Sequence, residues 1–224
     1  MNDRLHIALG QLVNAAYALN EGQPFTLPDG MEQSDTIYGK DLDGAEHPFG
    51  IVATAPDGSV FVGIRGTDNW LEWITDGEAL LVGSTFAPGA RCELGFLSLY
   101  LTLRLTNGPI SSLPAVSGIA GHSLGGPLAT MLATANKARE LVCFASPKPG
   151  NLAFAQTADE AIGAITLYAN VPDVVPHVPL TLPPWESYTH VAPLTVLDST
   201  GSTHGLRAAH DLNTYLKLLG GMQP

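Results

Sequence analysis

The chain has 224 residues, of which 45% are hydrophobic, and its 21 acidic and 10 basic side chains give a formal net charge of −11. This composition predicts a folded chain that forms one α/β domain over residues 1–224. The acidity argues against a nucleic-acid partner, because no Lys/Arg cluster is available to neutralise phosphates. It also argues against docking on anionic membranes, but it allows adsorption to a neutral lipid surface.

No segment approaches the roughly 20 apolar residues that are needed to span a bilayer. The amino terminus lacks a signal-peptide pattern, so we expect a cytoplasmic protein, or a secreted one whose leader has been removed. Cys92 and Cys143 have no metal-ligand spacing and are expected to be two buried free thiols. The histidines also lack a paired metal-binding spacing, and the sequence therefore indicates no metal and no cofactor.

The first half of the chain begins with a helical pattern. Apolar residues at helical spacing predict a helix over residues 3–20, and the Pro-, Gly- and Asp-rich stretch 21–44 is expected to be irregular surface chain. Two β-rich runs, 50–55 and 59–65, flank a turn that contains Asp57-Gly58, which predicts an antiparallel hairpin at one side of a sheet. A further helix is predicted within residues 93–105.

The second half alternates strands and helices. Short apolar runs at 115–120, 140–145 and 164–169 predict buried parallel strands, and a helical segment near 151–161 lies between the last two. This alternation is typical of a mostly parallel sheet with helices on both faces.

The most informative motif is Gly121-His122-Ser123-Leu124-Gly125-Gly126, which lies between a strand pattern and a helix pattern. In a nucleophile elbow, the serine adopts strained backbone angles and the glycines allow strand and helix to approach closely. Ser123 is therefore the candidate nucleophile. The Leu124 amide, at the start of a helix, is a candidate oxyanion donor. We expect His122 to be a packed or hydrogen-bonded histidine, because it lies on the wrong side of the turn to act as the base.

A strand that ends in Arg65-Gly66-Thr67 makes Thr67 the second candidate oxyanion donor. Apolar side chains near the candidate catalytic segments are either core residues or the lining of an acyl pocket. They are Trp70, Trp73, Phe86, Leu180 and Trp185.

A serine nucleophile needs a base, and the base needs an acid to orient it. Asp173 follows a strand on a proline-stiffened loop, and Asp198 is the alternative acid, whereas Asp159 and Glu160 have the pattern of solvated helix positions. His210 directly precedes the last predicted helix, 211–219, on a loop that could fold back over the elbow. His204 is the alternative base.

Four segments together resemble the class 3 lipases, the family that includes fungal triacylglycerol lipases and related feruloyl esterases. These segments are residues 61–70, which end in R-G-[ST]; the G-H-S-L-G-G elbow at 121–126; N-x-x-D-x-V-P at 170–176; and H-x-x-x-x-Y-L at 210–216. The resemblance implies an α/β-hydrolase fold, a triad of Ser123, Asp173 and His210, and an oxyanion hole made by Thr67 and the Leu124 amide. It also assigns a structural role to Tyr188-Thr189-His190.

Two features differ from the family pattern. Glu93 stands where the family has a structural histidine, and the short interval between Thr67 and Trp70 indicates that any lid helix is small or displaced. We expect a serine carboxylic ester hydrolase that acts on acylglycerols or short- to medium-chain esters, with transient contact to a lipid interface. The alternatives are a feruloyl-type or phospholipid esterase, an acyltransferase, or a non-catalytic binding protein that keeps the fold.

Overall fold

The structure, a computed structural model, describes residues 3–40, 44–67, 80–180, 187–202 and 205–220. Eleven strands are present in these ranges: β1 (Glu32–Lys40), β2 (Glu46–Thr54), β3 (Val60–Ile64), β4 (Leu81–Gly83), β5 (Arg91–Glu93), β6 (Arg104–Leu105), β7 (Gly108–Pro109), β8 (Gly118–His122), β9 (Glu140–Phe144), β10 (Ala164–Asn170) and β11 (Leu194–Leu197). Strands β4 and β5 pair with each other, and the other nine form the central sheet in the order β11-β10-β9-β8-β3-β2-β1-β6-β7.

The part of this sheet that carries the predicted site is parallel. Strands β3, β8, β9, β10 and β11 lie side by side and run in the same direction. Strands β2, β1, β6 and β7 extend the sheet antiparallel from β3. Because the carboxyl ends of the parallel strands meet at one edge, the loops that follow them gather side chains from distant parts of the chain.

The predicted helices on both faces of the sheet are confirmed. They are α1 (Asp3–Asn20), α2 (Leu94–Thr102), α3 (Gly125–Asn136), α4 (Leu152–Ala161), α5 (Leu206–His210) and α6 (Leu212–Leu218). One hydrophobic core contains residues of α2, α3 and α4 together with one side of the sheet. A second core contains residues of α1 and α6 together with other strand residues. The two cores explain why β8 and β9 have almost no exposed residues, since each face is covered.

The predicted hairpin is confirmed, because β2 and β3 pair antiparallel with Thr54 opposite Val60. The expectation of irregular chain over 21–44 is wrong for Glu32–Lys40, which form β1 and pair with β2. The first residues of β1 are polar and exposed, and Ile37 is its first fully buried aliphatic residue. The hydrogen bonds of this strand come from pairing with β2 and β6. The local sequence of β1 therefore gives little indication that it forms a strand.

Helix α2 is shorter than the segment 93–105 in which a helix was predicted. It ends at Thr102, and Arg104–Leu105 instead pair with β1, with Leu105 opposite Ile37.

The two cysteines agree with the sequence analysis, since Cys92 and Cys143 are free and fully buried. Burial raises the pKa of the Cys92 thiol to about 11 and that of Cys143 to about 12, so both remain protonated at neutral pH.

Candidate active site

Ser123 lies in the turn between β8 and α3, and its backbone has the strain that a nucleophile elbow requires. Its φ is 55°, in the left-handed region that non-glycine residues rarely adopt. Two backbone hydrogen bonds hold the turn: the Ser123 N–H donates to Phe144 O at 3.0 Å, and the Gly126 N–H donates to Ser123 O at 2.8 Å. The strained turn presents the hydroxyl at the carboxyl edge of the sheet.

The glycines of the motif allow the close contact between helix and sheet that the elbow needs. A Cβ atom added at Gly121 would lie 2.1 Å from Gly125 O, and one at Gly125 would lie 2.4 Å from Ile64 O. Both obstacles are backbone atoms, which cannot move without disturbing the sheet or the helix. Any larger side chain at either position would therefore push α3 away from β3 and β8.

Three side chains from distant parts of the chain meet at this turn. Ser123 Oγ lies 2.9 Å from His210 Nε2, and Asp173 Oδ2 lies 2.9 Å from His210 Nδ1. All three residues are at most 3% exposed. With Nδ1 as the donor to the Asp173 carboxylate, Nε2 is left to accept the proton of the serine hydroxyl.

Asp173 follows β10 on a tight loop, and two donors besides His210 bind its carboxylate among the described residues. The Val175 N–H donates to Oδ1 at 3.0 Å, and the Tyr215 hydroxyl donates to Oδ2 at 2.7 Å. Tyr215 Oη also accepts the Asn170 N–H at 3.0 Å. Burial, followed by the charge of Asp173, raises the pKa of Tyr215, so its hydroxyl remains a proton donor.

His210 is the last residue of the short helix α5, rather than part of the loop that was expected. Its carbonyl accepts a hydrogen bond from His122 Nε2 at 2.8 Å, and His122 Nδ1 in turn accepts one from the Tyr17 hydroxyl at 2.8 Å. Burial, followed by the nearby His210, lowers the pKa of His122 to about 3. His122 is therefore a neutral, hydrogen-bonded histidine, as predicted, and it ties α1 to the backbone of His210.

The two candidate oxyanion donors lie at the same turn. Leu124 directly follows Ser123 at the start of α3, and its N–H has no hydrogen-bond partner among the described residues. Thr67 follows Gly66 at the carboxyl end of β3. A Cβ atom built on Gly66 would lie 2.8 Å from Ser123 Cβ, so the chain that leads into Thr67 borders the candidate nucleophile.

The alternative acid does not join this group. The Asp198 side chain is exposed and accepts the Thr200 N–H at 2.8 Å, and Asp159 and Glu160 are exposed on α4, as predicted. The alternative base, His204, lies outside the described residues. His190 donates from Nε2 to Pro176 O at 2.7 Å. This contact supports the loop after β10 that carries Asp173, which is called the acid loop below.

Glu93, which replaces the histidine of the family pattern, caps a helix. Its carboxylate accepts the Phe96 N–H at 2.8 Å at the start of α2. Glu93 is only 3% exposed, and burial raises the pKa of its carboxyl group. Glu93 is therefore a buried polar residue whose carboxylate accepts a hydrogen bond from a backbone N–H in the first turn of α2.

The tentative acyl-pocket tryptophans, Trp70, Trp73 and Trp185, lie outside the described residues, as does the segment after Thr67 where a lid was considered. Phe86 is partly buried and packs against a hydrophobic core, with its ring centre 5.2 Å from that of Phe154 and 5.8 Å from that of Tyr100. Leu180 is 73% exposed, at the end of the described part of the acid loop.

Sequence reasoning missed two residues that support the site. Tyr17 belongs to α1 and has no local signal, because its partners Gly66 and His122 are distant in sequence. Tyr215 had a signal, since it is the tyrosine of the closing H-x-x-x-x-Y-L segment. Its hydroxyl contact with Asp173 follows only from the fold.

The parallel sheet, the elbow after β8 and the order Ser123, Asp173, His210 define the α/β-hydrolase class. The model of the family described as Lipase (class 3) matches residues 61–182, which is more than half of the chain. The chain therefore belongs to the class 3 lipase family.

Known proteins with similar sequences include both lipases and phospholipases. "Phospholipase A1-Igamma3, chloroplastic" of Arabidopsis thaliana is 29% identical over 72% of this chain and 42% of its own length. "Secreted mono- and diacylglycerol lipase A" of Penicillium cyclopium is 29% identical over 60% of this chain and 47% of its own length. The chain thus spans less than half the length of either relative.

The crystal structure of the Lip2 lipase from Yarrowia lipolytica has the same fold, with a TM-score of 0.66 at 21% identity. The match covers 87% of this chain and 78% of that protein. Among the residues that the structure describes, no helix has the length and apolar character required to cross a membrane.

Proposed function

We propose that this protein is a serine carboxylic ester hydrolase that works through an acyl-enzyme, with Ser123 as nucleophile, His210 as base and Asp173 as the acid that orients it. The observation that carries the proposal is the unbroken series of hydrogen bonds from Ser123 Oγ through His210 to Asp173, with both distances at 2.9 Å. A serine hydroxyl is a poor nucleophile alone, and this arrangement supplies the base that it needs.

In acylation, His210 Nε2 takes the proton of Ser123 as Oγ attacks the ester carbonyl. Asp173 stabilises the imidazolium that forms, and the neutral His122 beside it adds no opposing charge. His210 then protonates the leaving alcohol, and the acyl group remains on Ser123. Water repeats the cycle, with His210 as its base, and releases the acid.

The oxyanion that forms at the carbonyl is stabilised by the Leu124 amide and by Thr67. The Leu124 N–H has no partner among the described residues and lies at the start of α3, where the helix dipole favours negative charge. Loss of one such donor typically lowers turnover by about 10²- to 10³-fold. We expect Thr67→Ala to lose activity in this range, and an unchanged turnover would remove the Thr67 side chain from the mechanism.

The substrates proposed are lipid esters, namely acylglycerols or short- to medium-chain esters that the protein meets at a neutral lipid interface. Family membership and the name of the Penicillium relative support this class. The net charge of −11 makes an uncharged surface a better partner than an anionic one.

The decisive experiment is hydrolysis of p-nitrophenyl esters from acetate to palmitate by the wild type, Ser123→Ala and the matched control Ser112→Ala. Ser112 is an exposed serine outside the site, so its variant should match the wild type. Ser123→Ala should lose roughly 10⁴-fold or more of turnover while it remains folded. Activity that is independent of Ser123 would reject the proposal.

Two further variants test the choice of acid. Asp173→Asn should lower turnover strongly, whereas Asp198→Asn should leave it near the wild-type value, because within the described part of the chain the Asp198 side chain bonds only to its own turn. The reverse result would assign the acid to Asp198.

A second candidate is acyl hydrolysis of phospholipids, which the name of the Arabidopsis relative favours. Release of fatty acid from diacylglycerol and from phosphatidylcholine, compared in the same neutral mixed micelles, separates the two substrate classes. A non-catalytic binding protein is the remaining alternative. Stoichiometric labelling of Ser123 by a fluorophosphonate would reject it.

A further inference from the structure

Arg65, the last residue before the Gly66-Thr67 segment, is a buried cation at the carboxyl end of β3. It is only 4% exposed. Its Nε donates to Pro48 O at 2.7 Å, its Nη1 to Gly66 O at 2.7 Å and its Nη2 to Asn20 Oδ1 at 3.0 Å. The guanidinium also lies 4.4 Å from the centre of the Phe49 ring. Burial of a charge is costly unless its hydrogen bonds are well placed, so this position calls for an explanation.

The contact with Gly66 O controls a peptide unit that borders the nucleophile. The Gly66 carbonyl and the Thr67 N–H belong to one planar trans peptide and point in opposite directions. Nη1 on one side of this unit therefore sets the direction in which the Thr67 amide points on the other. The Gly66 N–H is held separately, by Tyr17 Oη at 2.8 Å.

The guanidinium also changes the electronic character of the same peptide. A cationic donor on a carbonyl oxygen polarises the amide, which makes the N–H of that unit a stronger donor. Arg65 thus acts on the Thr67 amide in two ways, by orienting it and by polarising it. A lysine could supply the charge, but its single ammonium could not bond to Pro48, Gly66 and Asn20 with the geometry of the planar fork.

We propose that Arg65 is a positioning residue for the oxyanion hole, which holds the Gly66 carbonyl so that the Thr67 amide donates to the oxyanion. This inference rests on the proposed ester hydrolysis at Ser123 and names the residue that orients the Thr67 amide. In the described contacts, Arg65 reaches the site through the Gly66-Thr67 peptide.

The test compares Arg65→Lys with the wild type and with Asn20→Ala, a control that removes one partner of the guanidinium but leaves its contact with Gly66. Each variant is assayed on p-nitrophenyl butyrate and on the corresponding thionoester. Sulfur is a weak hydrogen-bond acceptor, so a thionoester gains little from oxyanion donors. The ratio of kcat/KM for ester to thionoester therefore reports on the oxyanion hole rather than on general folding.

We expect Arg65→Lys to lower kcat on the ester by about 10- to 100-fold with little change in KM, because the donor is misaligned rather than lost. The ester-to-thionoester ratio should fall by a similar factor, and Asn20→Ala should keep both values within about twofold of the wild type. A folded Arg65→Lys variant with the wild-type ratio would overturn the proposal. Absence of Ser123-dependent hydrolysis in the wild type would instead overturn the proposed function.

If Arg65→Lys does not fold, the wild type decides the question by NMR with labelled glycine, threonine and arginine. A phosphonate adduct on Ser123 places an anionic oxygen in the oxyanion hole. Formation of the adduct should shift the Thr67 N–H resonance downfield together with the Gly66 carbonyl and Arg65 Nη1–H resonances. An unshifted Thr67 N–H, or a shift at Thr67 without one at Gly66 and Arg65, would overturn the proposal.

Discussion

Ser123 has an unfavourable backbone conformation as well as a candidate catalytic hydroxyl. Substitution can separate the effect of the backbone strain from that of the hydroxyl. At φ 55° a residue with a Cβ atom is strained, whereas glycine is not. We predict that Ser123→Gly is more stable than Ser123→Ala by roughly 0.5–1 kcal/mol, after allowance for the greater entropy of glycine in the unfolded chain. Urea unfolding of the two variants measures this difference. Equal stability, or a more stable alanine variant, would show that the turn relaxes when the serine is removed.

His122 should make stability depend on pH, because burial holds its pKa at about 3 in the folded protein against 6.5 for an ordinary histidine. Between these values the unfolded chain binds a proton that the folded protein does not. The free energy of unfolding therefore rises with pH across this interval, and acidification removes stability, by at most about 1.4 kcal/mol per pH unit from this group.

The comparison that isolates His122 is the wild type against His122→Asn. At pH 7 the variant should be less stable, because it loses the contacts with Tyr17 and the His210 carbonyl. On acidification, only the wild type loses stability through a histidine that stays neutral when folded and is protonated when unfolded. The difference in free energy of unfolding between the two proteins should therefore narrow from pH 7 to pH 4. A gap that stays constant over this range would contradict the buried, neutral state of His122.

At the scale of elements, helix α6 supports the acid loop through the hydroxyl of Tyr215. This group donates to Asp173 and accepts the Asn170 N–H, so one oxygen connects α6 to the loop after β10. We predict that Tyr215→Phe lowers the free energy of unfolding by about 1–3 kcal/mol, because a buried N–H loses its acceptor and a carboxylate loses a donor. Turnover should also fall, since Asp173 is less firmly held.

Tyr38→Phe is the matched control, because the Tyr38 ring contacts Arg104 and its hydroxyl has no hydrogen bond to any other described residue. Thermal unfolding and p-nitrophenyl butyrate turnover should be near the wild-type values in this control. An equal loss in both variants would mean that the Tyr215 hydroxyl has no special role at the acid loop.

At the scale of the whole molecule, the sheet separates two hydrophobic cores. Leu12 of α1 lies in one core and Ile119 of β8 in the other, and both are fully buried. We predict losses of about 2–5 kcal/mol for Leu12→Ala and about 0.5–1.5 kcal/mol for Ile119→Val. Because the two side chains belong to different cores, the double variant should show the sum within about 0.5 kcal/mol in urea unfolding. Coupling above 1 kcal/mol would show that the cores respond as one unit.

Features set by neighbouring residues could be predicted from the sequence, whereas features set by residues distant in the chain could not. The elbow at Gly121–Gly126 was predictable because its strand, turn and helix are adjacent in sequence and its glycines have a steric purpose there. Strand β1 was missed because its hydrogen bonds come from β2 and β6, which supply what its polar sequence does not indicate. Helix α2 ended early for the same reason, since Leu105 pairs with β1.

The α/β class and the strained serine could be predicted from the residues alone, and the family resemblance added Asp173 and His210 as the acid and the base. The contacts themselves required the fold, which places Asp173 Oδ2 2.9 Å from His210 Nδ1 and leaves Asp198 exposed, and in which Tyr17, Tyr215 and His122 hold the group together. The partners of His210 are 37 and 87 positions away in the chain. Their meeting depends on strand order and helix packing, which many residues set jointly and no local pattern encodes.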